Sequence, residues 1–134
     1  ADFVGNPTGS EITNTGYGAY WTPISRAATH FGAPVDWAGE GLSPNDVYNA
    51  VLDGKPVIFW VPYDWDTPAR HDYVAFDGRT IPYAGPEEHT MVVTGVTPTE
   101  VRVNDPDRGQ YWVPKAQFEA NYRVYNEMVV VIRP

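Results

Sequence analysis

The chain has 134 residues, 43% hydrophobic and 19% charged, a length and balance that predict one folded domain over residues 1–134 and exclude a disordered polymer. Its 17 acidic and 9 basic side chains leave a net charge of −8, which argues against a nucleic-acid or anionic-membrane partner, since either needs a basic face. With no cysteine, these residues alone can build no disulfide, thiolate metal site or cysteine nucleophile, and no apolar run reaches the ~18 residues of a membrane span.

Residues 1–21 carry Gly5, Asn6-Pro7, Gly9, Gly16 and Gly18 without helical or strand periodicity, which predicts irregular backbone punctuated by turns. So long an irregular opening is expected to continue from something upstream. Thr22-Pro23 then opens a helix, with Thr22 as N-cap, Pro23 at the first helical position and Ile24, Ala27, Ala28 and Phe31 as the apolar stripe ending at Gly32. Ser43-Pro44 repeats the device for a second helix whose inner face is Val47, Tyr48, Val51 and Leu52, stopped by Gly54. The unbroken run Val57 to Val61 reads as a central strand covered on both faces. Pro62 to Ala69 follows as a polar-aromatic loop long enough to wall a cleft, and Tyr73 to Tyr83 as a hairpin about Asp77-Gly78. After the central hairpin described next, Gln110 to Val113 forms a short strand. Pro114 starts a third helix with Ala116, Phe118 and Tyr122 inward, and Met128 to Ile132 closes the sheet. Helices first and mainly antiparallel strands afterwards define an α+β class.

The stretch Pro86 to Asp105 alternates apolar and polar residues, breaks at Thr97-Pro98-Thr99-Glu100 and alternates again, the pattern of an antiparallel hairpin with one buried face. Met91, Val93, Val101 and Val103 form the inward set, because residues two apart on a strand share a face. His89 keeps step with the first two and Asp105 with the last two, so both fall on the core side, near the strand ends away from the turn. Burying both costs several kcal/mol unless they satisfy each other, and an imidazole N–H donating to the carboxylate is the orienting half of a nucleophile–His–Asp triad. Such a pair can equally be a structural tether. The register is open as well: a four-residue loop sets Asp105 opposite Val92, whereas three or five residues bring His89 and Asp105 into phase.

Other chemistry is weaker. His30, His71 and His89 match no zinc spacing, so neither a metal nor any other cofactor is expected. Glu87-Glu88, Asp64 and Asp66 read as solvated carboxylates. Ser10, Ser25 and Ser43 lie in no nucleophile-elbow context, and Ser43 is explained as an N-cap.

Taken in order, GNP…GYGAYWTPI, GKPVIFWV, EHTMVVTGV, VRVNDPDRGQYWVPKAQFEANY and MVVVI resemble the bacterial papain-fold cysteine peptidases related to the bacteriocin-processing, or double-glycine, enzymes. The resemblance covers nearly the whole chain and implies a papain-like fold, amide-bond hydrolysis by acyl transfer, and a secreted or cell-envelope location. It implies His89 as the base and Asp105 as the residue that orients it. The groove for a peptide or protein substrate would be lined by Trp60, Tyr63 and Trp65. That family's nucleophile is a cysteine at the start of a helix. Either its helix lies before Ala1, which the spacing to Gly54-Lys55-Pro56 favours, or the Trp21–Gly32 segment overlays it with Trp21 in the cysteine's place. On either alignment the isolated chain is expected to be inactive. The alternative is a non-catalytic module that holds a peptide or cell-wall fragment in the same groove. An open apolar face is also expected, covered by the missing segment or by a second copy of the chain.

Overall fold

In the computed structural model, residues 3–4, 18–74, 78–83 and 87–134 are described. Their short strands β1 (Phe3–Val4) and β2 (Gly18–Ala19) pair antiparallel. Then come α1 (Trp21–His30), β3 (Val35–Gly39), α2 (Pro44–Leu52) and β4 (Val57–Pro62). The strands β5 (His71–Val74) and β6 (Thr80–Tyr83) form a separate antiparallel pair, the expected hairpin, although Asp77 of its turn lies outside the described residues. The chain continues through β7 (Glu88–Val96), β8 (Glu100–Asp105), β9 (Gly109–Pro114), α3 (Lys115–Tyr122), a 3-10 turn over Arg123–Tyr125 and β10 (Val129–Ile132).

Six strands make one antiparallel sheet in the order β3-β10-β4-β7-β8-β9. Strand β4 sits inside it, as its unbroken apolar run demands. One face carries Val57, Phe59, Val61, Met91, Val93, Val101, Val103 and Val113 and is covered by Val47 and Tyr48 of α2 and by Phe118 and Tyr122 of α3. The other face offers Trp60 and Val130, against which Ile24 of α1 and the buried Tyr20 pack. Because α1 lies over β3 and β10, among the described residues this second face is left open toward β7 and β8. There a cavity of about 450 Å³ is lined by Ile24, Ile58, Thr90, Val92, Asn104 and Pro106, among others.

Local chemistry sets the helix ends only in part. The Ser43 hydroxyl accepts from the Asp46 N–H at 3.2 Å, the expected N-cap for α2. Helix α1 instead starts at Trp21 with Tyr20 in the cap position and no side-chain cap, so Thr22 lies inside the helix. Phe31, the C-cap residue after α1, and Leu52, the last residue of α2, were assigned to inner faces but are 84% and 70% exposed. Ala27 and Ala116 are exposed too. Strand β3 was not anticipated: it is an edge strand of only five residues with little buried surface, so its alternation is weak.

A β-bulge settles the register of the central hairpin. At the turn Val96 faces Val101, the four-residue loop that would turn Asp105 away from His89. Between Val93 and Gly95 the register slips by one, so that Val93 faces Val103 and Val92 faces Asn104. Thr94 is the extra residue, and Arg102 clamps it, donating from Nε to Thr94 Oγ1 at 3.2 Å and from Nη2 to its carbonyl at 3.1 Å. Gly95 fits the close approach here: a Cβ on it would come within 3.2 Å of the Arg102 side chain, which would have to give by a few tenths of an ångström. The slip returns His89 and Asp105 to one face.

Candidate active site

His89 and Asp105 meet at the end of the sheet away from the hairpin turn. His89 Nε2 lies 2.9 Å from Asp105 Oδ1, with the Asp105 side chain 0% exposed and that of His89 18% exposed. Oδ1 also accepts the Asp107 N–H at 2.9 Å, while Oδ2 accepts the Tyr111 hydroxyl at 3.0 Å. Burial pushes the Asp105 carboxyl up, but hydrogen bonds from His89, the Asp107 N–H, Tyr111 and the Arg108 N–H together outweigh it and hold the group below its ordinary value. An ionised carboxylate at Nε2 fixes the neutral imidazole with its proton on Nε2 and its lone pair on Nδ1. Among the described residues Nδ1 has no hydrogen-bond partner. This is the arrangement of a general base waiting for a proton donor.

The 62–69 loop supplies a wall beside the pair. The Tyr63 ring stands edge-on to His89 at 5.2 Å, its hydroxyl donates to the Asp107 carboxylate, and the Arg108 guanidinium lies 3.7 Å over its face. Arg108 also pairs with Asp64 at 2.8 Å, so Asp64 is tied into the site and is not merely solvated. Of the three aromatics assigned to a groove, Tyr63 alone sits next to His89 in this way. Trp60 is corrected: it is 2% exposed, in the core, with its indole N–H donating to the Ala19 carbonyl at 2.9 Å. Placed on β4 opposite the phase of Phe59, its ring points into the second core, away from His89.

Trp65 is also turned inward. Its ring packs 6.2 Å from that of Phe59 and its Nε1 donates to the Tyr111 hydroxyl at 3.1 Å. Trp65 and Thr67 have φ of 60° and 51°, left-handed values that cost a non-glycine residue on the order of 1 kcal/mol each. The loop is held in that shape by the buried Asn121 of α3, whose Oδ1 accepts the Thr67 N–H at 3.0 Å while its Nδ2 donates to the Gln117 carbonyl at 2.9 Å. Tyr111 was missed by pattern alone, yet its phase with Val113 puts it on the face of Asp105, and it stands opposite Val103. Burial, and then its bond to Asp105, keep the phenol above its ordinary value against the opposing bond from Trp65, so Tyr111 remains a proton-bearing donor.

The other candidates lie elsewhere. His30 is exposed at the end of α1 and His71 begins β5, and among the described residues no group of His, Asp or Glu is arranged to hold a metal ion. Ser43 caps α2, Ser25 lies within α1, and Ser10 falls outside the described residues.

A family model described as the Peptidase_C39 like family matches residues 1–130. The chain belongs to this family. As a C39-like chain it shares its papain-like fold with a solved structure from Bacillus anthracis, provisionally assigned as a C39-like peptidase, at TM-score 0.74 and 21% identity. The alignment covers 89% of this chain and 61% of that one, so the chain spans about three-fifths of its C39-like neighbour. No curated protein matches it significantly.

Proposed function

We propose that residues 1–134 are the base-bearing part of a papain-like cysteine peptidase, with His89 as general base and acid, Asp105 as its orienting residue, and the thiol supplied from outside these residues. The carrying observation is the 2.9 Å bond between His89 Nε2 and the buried Asp105 carboxylate, with Nδ1 left without a hydrogen-bond partner among the described residues. In that reading Nδ1 takes the thiol proton and the thiolate attacks the peptide carbonyl. The imidazolium then passes the proton to the departing amine, and water, deprotonated by the same nitrogen, releases the acyl group. Membership of the C39-like family and the absence of cysteine support this division of labour. Without a thiol, His89 has only water or a hydroxyl to activate, and the isolated chain is expected to leave generic peptides intact. Cleavage by the isolated chain that His89→Ala abolishes would show that the nucleophile lies within it.

The finer form of the reading is kinship with the double-glycine processing peptidases, supported by the order of His89, the Asn104-Asp105-Pro106 element and α3. Preferential cleavage after a Gly-Gly pair by the thiol-completed protein is the expected outcome, and indifference to that pair would refute it. The open cavity beside Ile24, Ile58 and Val92 supports a helical segment as the carrier of the thiol, either from the same polypeptide or from another chain. Light scattering on the isolated chain checks this: a clean monomer argues against a second copy as the cover. Export to the cell envelope or beyond belongs to the same proposal and is checked by fractionating producing cells.

The absence of cysteine also favours a second reading, a module that binds a peptide or cell-wall fragment without turning it over. Binding by calorimetry with no turnover, even when the longest natural polypeptide carrying these residues is used, would select it.

A further inference from the structure

We propose that Trp65 and Tyr111 are positioning residues for His89, acting through Asp105. The proposal rests on the peptidase reading and deepens it, by saying what keeps the base in its working tautomer.

A carboxylate's terminal torsion is broad, so an aspartate held by one partner can swing and exchange its oxygens. Asp105 is restrained on both. Oδ1 accepts from His89 and from the Asp107 N–H, each at 2.9 Å, and Oδ2 accepts from the Tyr111 hydroxyl at 3.0 Å. Tyr111 has a single proton, and the direction of that proton is decided by Trp65. An indole N–H can only donate, so Trp65 Nε1 at 3.1 Å occupies a lone pair of the phenol and leaves its O–H to point away. Two acceptors lie within reach: Asp105 Oδ2 at 3.0 Å and the weak thioether sulfur of Met91 at 3.5 Å. The carboxylate takes it. The sequence of donors therefore runs one way, from indole to phenol to carboxylate, and the carboxylate oxygen left for His89 accepts only at Nε2.

The loop geometry fits this role. Trp65 reaches Tyr111 from a left-handed backbone secured by its own N–H donating to the Pro62 carbonyl at 3.2 Å, by the neighbouring Thr67–Asn121 bond and by packing on Phe59. A half-buried tryptophan could satisfy its N–H without such a backbone, and packing alone would not set the half-buried Tyr111 hydroxyl against a carboxylate. If both served packing alone, His89 would be indifferent to loss of the phenol oxygen or the indole nitrogen.

The test uses the 134-residue chain with 15N-labelled histidine, above the pH at which the imidazole is charged. Wild type is expected to show His89 protonated on Nε2, bare on Nδ1, with a slowly exchanging Nε2 proton. Tyr111→Phe keeps the ring and removes the oxygen. It is expected to mix the two tautomers and to speed Nε2–H exchange by about tenfold, the loss of one hydrogen bond to a charged group. Trp65→Phe is expected to move both readouts the same way by less, and decides alone if Tyr111→Phe does not fold. The amide spectrum establishes that each variant is folded. Folded variants of both with the wild-type tautomer and exchange rate would overturn the proposal while leaving the peptidase reading intact, and loss of the fold in both would replace positioning by a purely structural role. A wild-type His89 protonated on Nδ1 would instead overturn the peptidase reading itself.

Discussion

A carboxyl with no exposed side-chain surface would ordinarily gain a proton, yet the donors around Asp105 keep it ionised and below its usual value. That has a consequence for stability. The folded state binds the Asp105 proton less tightly than the unfolded chain, so unfolding takes up a proton once the pH falls below the ordinary value of 3.8. The Asp105 contribution is therefore complete above that pH and is lost as the pH falls toward the lowered folded value. Comparing urea unfolding of wild type with Asp105→Asn should show a stability gap that narrows in acid below about pH 4. A gap that stays the same down to pH 2 would mean that the carboxylate is not held by these bonds. His89 shows how a side chain can be placed by its strand and still lack a reaction partner among the described residues.

At the scale of elements, the central hairpin carries the site because of one inserted residue. Deleting Thr94 should remove the bulge and turn His89 and Asp105 to opposite faces, or force the hairpin out of register. Either way a buried charged group loses its partner, at a cost of roughly 3–5 kcal/mol in guanidinium unfolding. The loop from Tyr63 to Thr67 depends likewise on α3. Asn121→Ala leaves the Thr67 N–H without its acceptor and should cost about 1–3 kcal/mol in the same measurement, whereas an unchanged stability would show the loop to be held by other means. The alternation around Met91, Val93, Val101 and Val103 was readable in the sequence, since a period of two on a half-buried strand leaves a strong signal. What alternation could not carry was the phase between β7 and β8, because a bulge depends on how Arg102 and Gly95 meet across the pair. The places of Trp60 and Trp65 were not readable for a related reason. Trp60 and Trp65 are apolar rings with one donor each, and composition does not say whether that donor faces a ligand or an internal acceptor such as Ala19 or Tyr111.

For the whole molecule, the two faces of the sheet are unequal. One is closed by α2 and α3, where Phe118 fills the space between Phe59, Tyr48 and Tyr122 with ring centroids 5.2, 6.0 and 5.2 Å away. Phe118→Ala should cost about 3–5 kcal/mol by thermal or urea unfolding, the usual range for emptying such a position. Among the described residues the other face is half open beside the catalytic candidates, and the chain spans only 61% of the similar Bacillus anthracis chain. Fold class and the core-side phase of His89 and Asp105 on their own strands were legible because both rest on local pattern, while their meeting needed the bulge, and which part of the sheet α1 leaves uncovered is a tertiary choice. The proposed role of His89 is proton transfer in thiol-dependent amide hydrolysis. The measurement that reaches this claim most directly is peptide hydrolysis by the longest natural polypeptide carrying these residues, with and without His89→Ala. The predicted result is turnover blocked by thiol alkylation and reduced on the order of 10²–10⁴-fold by His89→Ala. Thiol-dependent turnover that His89→Ala leaves untouched would contradict it.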